Sequence, residues 1–134
     1  EYIVERYARG RLAPPIGSPL RGPYLQWIHF AEATAFPPIG DIVRHSFFKP
    51  EEERIPAVVE DGRERAISTL AVLDRTLAGK TWLLGDDFSA ADVMMGYTLH
   101  AAKLFGLLEG RFPDLRDYVE RLEARPAFQK ALEL

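Results

Sequence analysis

The chain has 134 residues, a net charge of −3, 47% hydrophobic and 28% charged residues, and no cysteine. That is enough chain for one soluble domain, which buries roughly two-thirds of its unfolded surface without staples. The charge argues against nucleic-acid binding through phosphate neutralisation. The lack of cysteine excludes disulfides, thiolate metal sites and a cysteine nucleophile within these residues.

No apolar run approaches the ~20 residues of a membrane helix. The opening Glu1-Tyr2-Ile3-Val4-Glu5-Arg6 lacks the basic-then-apolar layout of a secretory signal. A cytoplasmic protein with no membrane or nucleic-acid partner is the expectation. No segment alternates with the period of a strand, whereas helical periodicity recurs between Pro and Gly clusters. The fold class expected is all-α, with six helical pieces.

The first piece, Glu1 to about Ala8, puts Ile3, Val4 and Tyr7 on one stripe. It starts as though already mid-helix. Gly10, Pro14, Pro15 and Gly17 then make an extended linker and a candidate domain boundary. The second piece runs from Ser18 or Pro19, read as N-cap and first helical position, to His45. Leu20, Tyr24, Trp27, Ile28 and Ala31 form its stripe. Pro37-Pro38 must kink or interrupt it.

The third piece spans about Glu52 to Leu77, with Ile55, Val58, Val59, Gly62, Ala66, Leu70, Leu73 and Leu77 on one face. Gly62 and Ala66 either let another helix approach closely or are merely small. Gly79 fits a C-terminal stop.

The fourth piece has the sharpest local signal. Ser89-Ala90-Ala91-Asp92 is a capping box with Asp in the fourth place. Phe88 and Val93 have the spacing of a hydrophobic staple. The helix runs to about Phe105, and its Val93, Met94, Gly96, Tyr97, Leu99, His100, Ala101 and Leu104 predict a central, buried helix. A fifth piece opens at Asp114 and turns Leu115, Tyr118, Val119 and Leu122 to one face. Arg125-Pro126 ends it. The sixth, Pro126 to Leu134, carries Phe128 and Leu132 inward.

The stretch Trp82-Leu83-Leu84-Gly85-Asp86-Asp87-Phe88-Ser89-Ala90-Ala91-Asp92-Val93 resembles the signature segment of the glutathione transferase C-terminal domain. Phe112-Pro113-Asp114-Leu115 and Arg125-Pro126-Ala127-Phe128 resemble that family's next landmarks. Tyr24 to Glu32 followed by Pro37-Pro38 resembles the first helix of the domain in bacterial members. Glu1 to Tyr7 resembles the last helix of the preceding thioredoxin-like domain. The resemblance covers essentially the whole chain.

It implies a helical bundle of five to six helices, with residues 1–10 as a remnant of the thioredoxin-like domain, 11–17 as linker and 18–134 as the C-terminal domain. It implies that the parent is a glutathione S-transferase conjugating glutathione to hydrophobic electrophiles, with roles in detoxification. Glutathione is the co-substrate, held mainly by the thioredoxin-like domain, which also supplies the catalytic Ser, Tyr or Cys. The chain as given is then expected to lack transferase activity and to hold no catalytic residue. The competing function is a non-catalytic interaction or dimerisation module, since the same helical domain is grafted onto translation factors, synthetases and stress proteins. A third reading is a generic bundle without a small-molecule site.

Through the resemblance, the electrophile pocket is expected to draw on Phe30, Thr34, Phe36 and Pro37 of the Pro-interrupted helix. Tyr97, His100, Ala101 and Leu104 join them from the fourth piece. For Phe30 and Tyr97 the core is the competing place. Phe36 and Pro37, at a helix break, reach a cleft more easily. His29, His45 and His100 show no metal-ligand spacing, so surface or helix-end roles are expected, and no metal. Asp92 is read as structural, because the capping box already accounts for it. The mixed charge runs read as solvated helix faces. In the family the first two long helices form a homodimer interface, which places Glu32, Arg63 and Arg65 as candidates. An exposed apolar face around Tyr24, Phe36 and Tyr97 is expected where the thioredoxin-like domain docks.

Overall fold

A computed structural model describes residues 1–133. Leu134, the last residue assigned above to the sixth piece and to the helical domain, lies outside the described residues. The described residues are helical, with no strand, only an isolated bridge between Trp82 and Gly85.

Helix α1 spans Tyr2–Tyr7. It is tied down at Glu5, whose Oε1 accepts from Arg21 Nη2 at 2.7 Å. The stretch that follows bends through Gly10 and Gly17 at φ of +77° and +91°, where glycine carries no Cβ penalty. Leu12 adopts φ +67° despite its side chain, a conformation costing on the order of 1 kcal/mol. Its carbonyl accepts the Ala90 N–H at 2.7 Å, satisfying one of the free donors at a helix start.

A long rod comes next. Helix α2 (Arg21–Phe30) passes into a π-helical turn (Ala31–Ala35), then α3 (Phe36–Val43), then a second π turn (Arg44–Phe48). The start falls later than expected. Ser18 opens a turn instead, its Oγ accepting from Leu20 N–H at 3.2 Å and its carbonyl from Arg21 N–H at 2.9 Å. Pro37-Pro38 also does not break the helix. The wide turn, with Phe36 N–H bonded to the Ala31 carbonyl, lets both rings enter as the second and third residues of α3. A proline clashes with the carbonyl four residues back in a regular α-helix, and a π turn opens that spacing. Ala33 pays the remaining cost, since the residues four and five ahead are both proline and offer no N–H.

Helix α4 (Pro56–Leu77) buries Gly62, Ala66, Leu70, Leu73 and Leu77, as its stripe foretells. It begins four residues later than expected, after a 3₁₀ turn at Glu51–Glu53. Ile55 precedes it, exposed, and donates its N–H to His45 Nδ1 at 3.1 Å. The close approach at Gly62 is realised: an added Cβ would lie 2.9 Å from the Pro38 carbonyl oxygen and 3.0 Å from Ile42 Cγ1. The rod and α4 therefore touch backbone to backbone.

Helix α5 (Ala90–Leu104) lies between the rod and α6 (Pro113–Glu123), with α7 (Pro126–Leu132) after it. Met95, Leu99 and Ala102 of α5 meet Leu115, Tyr118, Val119 and Leu122 of α6 in the core. The expectation of a helix buried all round is corrected: Val93, Met94, Tyr97 and Leu104 are exposed. Leu132 is also exposed rather than inward, because α7 buries none of its residues and rests on the bundle through half-buried Phe128. No helix among the described residues is long and apolar enough to cross a membrane.

Candidate functional site

The start of α5 is densely bonded. Asp92 is fully buried. Its Oδ2 accepts from Ser89 N–H at 2.8 Å and from Ser89 Oγ at 2.9 Å. Its Oδ1 accepts from Leu83 N–H at 2.9 Å and from Tyr118 Oη at 2.8 Å. Both halves of the capping box are in place. The carboxylate is the stronger arm. The Ser89 hydroxyl donates to it while also facing the Asp92 N–H, whose backbone bond runs to the Ser89 carbonyl at 3.1 Å. A buried carboxylate is tolerated only when its oxygens are met by donors. Here four donors come from a loop, a cap and a neighbouring helix. Burial, then the Asp92 charge and hydrogen bond, push the Tyr118 phenol well above its usual range, so it stays a donor.

Phe88 does not simply pair with Val93. Its ring meets Trp82 at 4.9 Å and lies under the Arg125 guanidinium at 3.5 Å, while Val93 is exposed. The loop before α5 is thus clamped to the α6–α7 junction. These contacts are structural.

The residues expected to wall a ligand site divide. Phe36 and Tyr97 come together, their rings 5.7 Å apart and tilted by 31°. Phe36 is half-buried and Tyr97 is 66% exposed. Ala101, half-buried, and Leu104, 70% exposed, follow Tyr97 along the same helix. Phe30 instead packs edge-on against Trp27 at 5.2 Å and backs the core. Thr34 and Pro37 open on the α4 side of the rod, in a groove of about 520 Å³ shared with Glu64, Arg65, Ser68 and Thr69. His100 points away from the pair too. Its Nδ1 lies 3.2 Å from Glu123 Oε1 and its ring meets Phe128 edge-on at 5.4 Å.

Glu123 gathers α5 to the end of α6. Burial alone would raise its pKa, but hydrogen bonds with Lys103 and His100 outweigh it and hold the carboxyl below the usual range. Tyr24, expected on an exposed docking face, is fully buried, with the Arg21 guanidinium 5.1 Å from its ring centre. Of the candidates for a subunit face, Glu32, Arg63 and Arg65 are all exposed. Arg65 binds Asp41 and Asp61, both at 2.7 Å. No group of three or more His, Asp or Glu able to hold a metal occurs among the described residues.

The geometry defines an all-helical domain that presents an aromatic pair on the unpartnered side of its central helix. Its relatives share the all-helical fold. Residues 56–121 match the family described as glutathione S-transferase, C-terminal domain. Glutathione S-transferase GstB of Escherichia coli (strain K12) is 27% identical over 132 residues, covering 98% of this chain and 62% of the relative. Glutathione transferase URE2P6 of Phanerochaete chrysosporium, solved in complex with oxidized glutathione, superposes with a TM-score of 0.85 at 28% identity, covering 98% of this chain and 61% of that one. Ure2p5 of the same organism, cocrystallized with 1-(S-glutathionyl)-2,4-dinitrobenzene, shares the fold with a TM-score of 0.87 at 24% identity, covering 98% and 61–63% in its two structures. The chain is similar to glutathione S-transferases over nearly its whole length and has the all-helical fold of their C-terminal domain. It spans 62% of the length of the GstB relative.

Proposed function

We propose that this chain forms the electrophile side of a glutathione transferase active site, opposite a thioredoxin-like domain that holds glutathione and supplies the thiolate-stabilising group. The observation that carries the reading is the Phe36–Tyr97 ring pair on the exposed face of α5. Apolar and aromatic walls with few polar groups suit a hydrophobic electrophile. Ala101 and Leu104 extend the wall, and Phe30 supports the rod from behind.

The residues of this wall carry no charge that could hold the two carboxylates of glutathione, which fits a co-substrate bound on the facing domain. Glutathione supplies the nucleophilic thiolate when bound. This chain's part is to position the electrophile and exclude water. In this reading residues 1–10 close the thioredoxin-like domain, 11–17 link, and the helical domain follows; the chain alone is inactive. Thr34 and Pro37 move from the electrophile wall to the α4 side of the rod, where with Glu32, Arg63 and Arg65 they belong to a homodimer face. Absence of cysteine fits a reducing compartment, and the reading places a detoxifying enzyme in the cytoplasm.

The test is retention of the full-length protein on immobilised glutathione together with turnover of 1-chloro-2,4-dinitrobenzene. Retention with turnover is expected. Neither would favour an interaction module built on the same exposed face.

A further inference from the structure

Arg21 is the first residue of α2, and its guanidinium reaches back to the segment before the rod. Nη1 donates to the Pro14 carbonyl at 3.2 Å and Nη2 to Glu5 Oε1 at 2.7 Å. Glu1 Oε1 stands 3.9 Å from the same Nη2. The Tyr24 ring backs the group, its centre 5.1 Å from the guanidinium carbon. The Arg21 side chain is only 17% exposed, against 54% for Glu5.

Helix α1 has little else to hold it. It buries none of its six residues, and Tyr2, Ile3 and Tyr7 are exposed. Val4 leans on the core. Among the described residues, the hydrogen bonds and ion pairs from α1 to the helices beyond the linker all run to Arg21. A helix this short has no stability of its own to fix its direction. A charge-assisted bond is roughly twice as strong as a neutral one. The planar fork holds a carboxylate and a carbonyl at once, which a lysine ammonium does with less rigidity. Arg21 also begins the rod that reaches Phe36 fifteen residues on. Latch and wall therefore share one body, roughly 20–25 Å apart.

We propose that Arg21 is a positioning residue. By holding Glu5 it fixes the thioredoxin-like domain against the Phe36–Tyr97 wall, and so sets the distance from the glutathione sulfur to the electrophile. The inference rests on the reading of residues 1–10 as the end of that domain and of the ring pair as the electrophile wall. Arg21 touches neither substrate. Its effect falls on the alignment of two reactants held on different domains, where a misplacement of about 1 Å costs up to about a hundredfold in rate.

The experiment uses the full-length protein, with two readouts. The first is steady-state conjugation of 1-chloro-2,4-dinitrobenzene, assayed well below the Tm of each variant. Glu5→Gln and Arg21→Met should each lower kcat about tenfold and leave KM for glutathione unchanged. The double variant should be no slower than Arg21→Met alone, because both substitutions break one contact. Arg21→Lys, which keeps the charge, should recover kcat to within about threefold of wild type. The second readout is trypsin cleavage after Arg9 and Arg11, both exposed, followed by mass spectrometry. Cleavage should be about tenfold faster in Glu5→Gln, since it tracks the population in which the segment is released. Glu5 is exposed enough that its variant folds. Turnover by wild type with kcat unchanged in both single variants overturns the proposal and leaves the transferase reading standing. Losses that multiply in the double variant overturn the pairing of Arg21 with Glu5. No turnover by wild type, with cleavage still faster in Glu5→Gln, overturns the transferase reading and leaves the latch. Cleavage unchanged by Glu5→Gln overturns the latch.

Discussion

Tyr118 donates its phenolic hydrogen to Asp92 Oδ1 at 2.8 Å, joining α6 to the cap of α5 across 26 residues of sequence. The same carboxylate also holds the Ser89 cap and the Leu83 amide. One side chain therefore positions a loop, a helix start and a helix face together.

Asp92→Ala should destabilise the domain by about 3–5 kcal/mol, more than the loss of an ordinary cap, because buried donors are left unmet. Tyr118→Phe should cost about 1.5–3 kcal/mol, the worth of a hydrogen bond to a charged group. Thermal denaturation reads both. In the full-length protein, correctly folded Asp92→Ala should retain specific activity, and an unchanged Tm with lost activity would refute the structural role.

Gly62→Ala tests the contact between the rod and α4. The new methyl would sit 2.9 Å from the Pro38 carbonyl oxygen, and a backbone atom cannot swing aside as a side chain does. Overpacking costs about 1–3 kcal/mol, against which alanine recovers about 1 kcal/mol of helix propensity. A lowered Tm is expected. A raised Tm would mean that the helices part freely.

In the full-length protein, Phe36→Ala should raise KM for an aromatic electrophile about fivefold, the scale expected for one lost ring contact. Its KM for glutathione should not change. Steady-state kinetics with each substrate varied in turn separates the two, and unchanged electrophile kinetics would remove Phe36 from the site.

Glu123 makes part of the stability acid-sensitive. Its carboxyl titrates lower when folded than the ordinary 4.5, through Lys103 and His100 acting against burial. A depressed folded pKa contributes stability that is complete above the unfolded value and lost as pH falls through the folded one. The Tm advantage of wild type over Glu123→Gln should therefore hold at neutral pH and disappear below pH 4.5. A difference constant across that range would show that the ion cluster contributes nothing to holding α6 on α5.

Much of this was legible in local pattern. The Ser89–Asp92 box marks the start of α5, and the periodic apolar face from Gly62 to Leu77 marks the buried side of α4. Even the family could be read from residues 82–93. Such features are local: a cap needs only its own turn, and a stripe needs only 3.6-residue periodicity. The candidate wall was less legible. Thr34, Phe36 and Pro37 are neighbours in sequence, yet Phe36 meets Tyr97 while Thr34 and Pro37 line the groove toward α4.

The sequence by itself determined an all-helical domain, the start of its central helix and the buried carboxylate that anchors it. Only the tertiary structure decided which faces stayed open. Tyr24 went inside under Arg21, His100 turned to Glu123 and Phe128, and Tyr97 was left exposed beside Phe36. The physical reason is that periodicity sets the angle between residues on one regular helix. It does not set which face meets a partner arriving from distant sequence, and the π turn at Ala31–Ala35 alters that angle where the candidate wall begins.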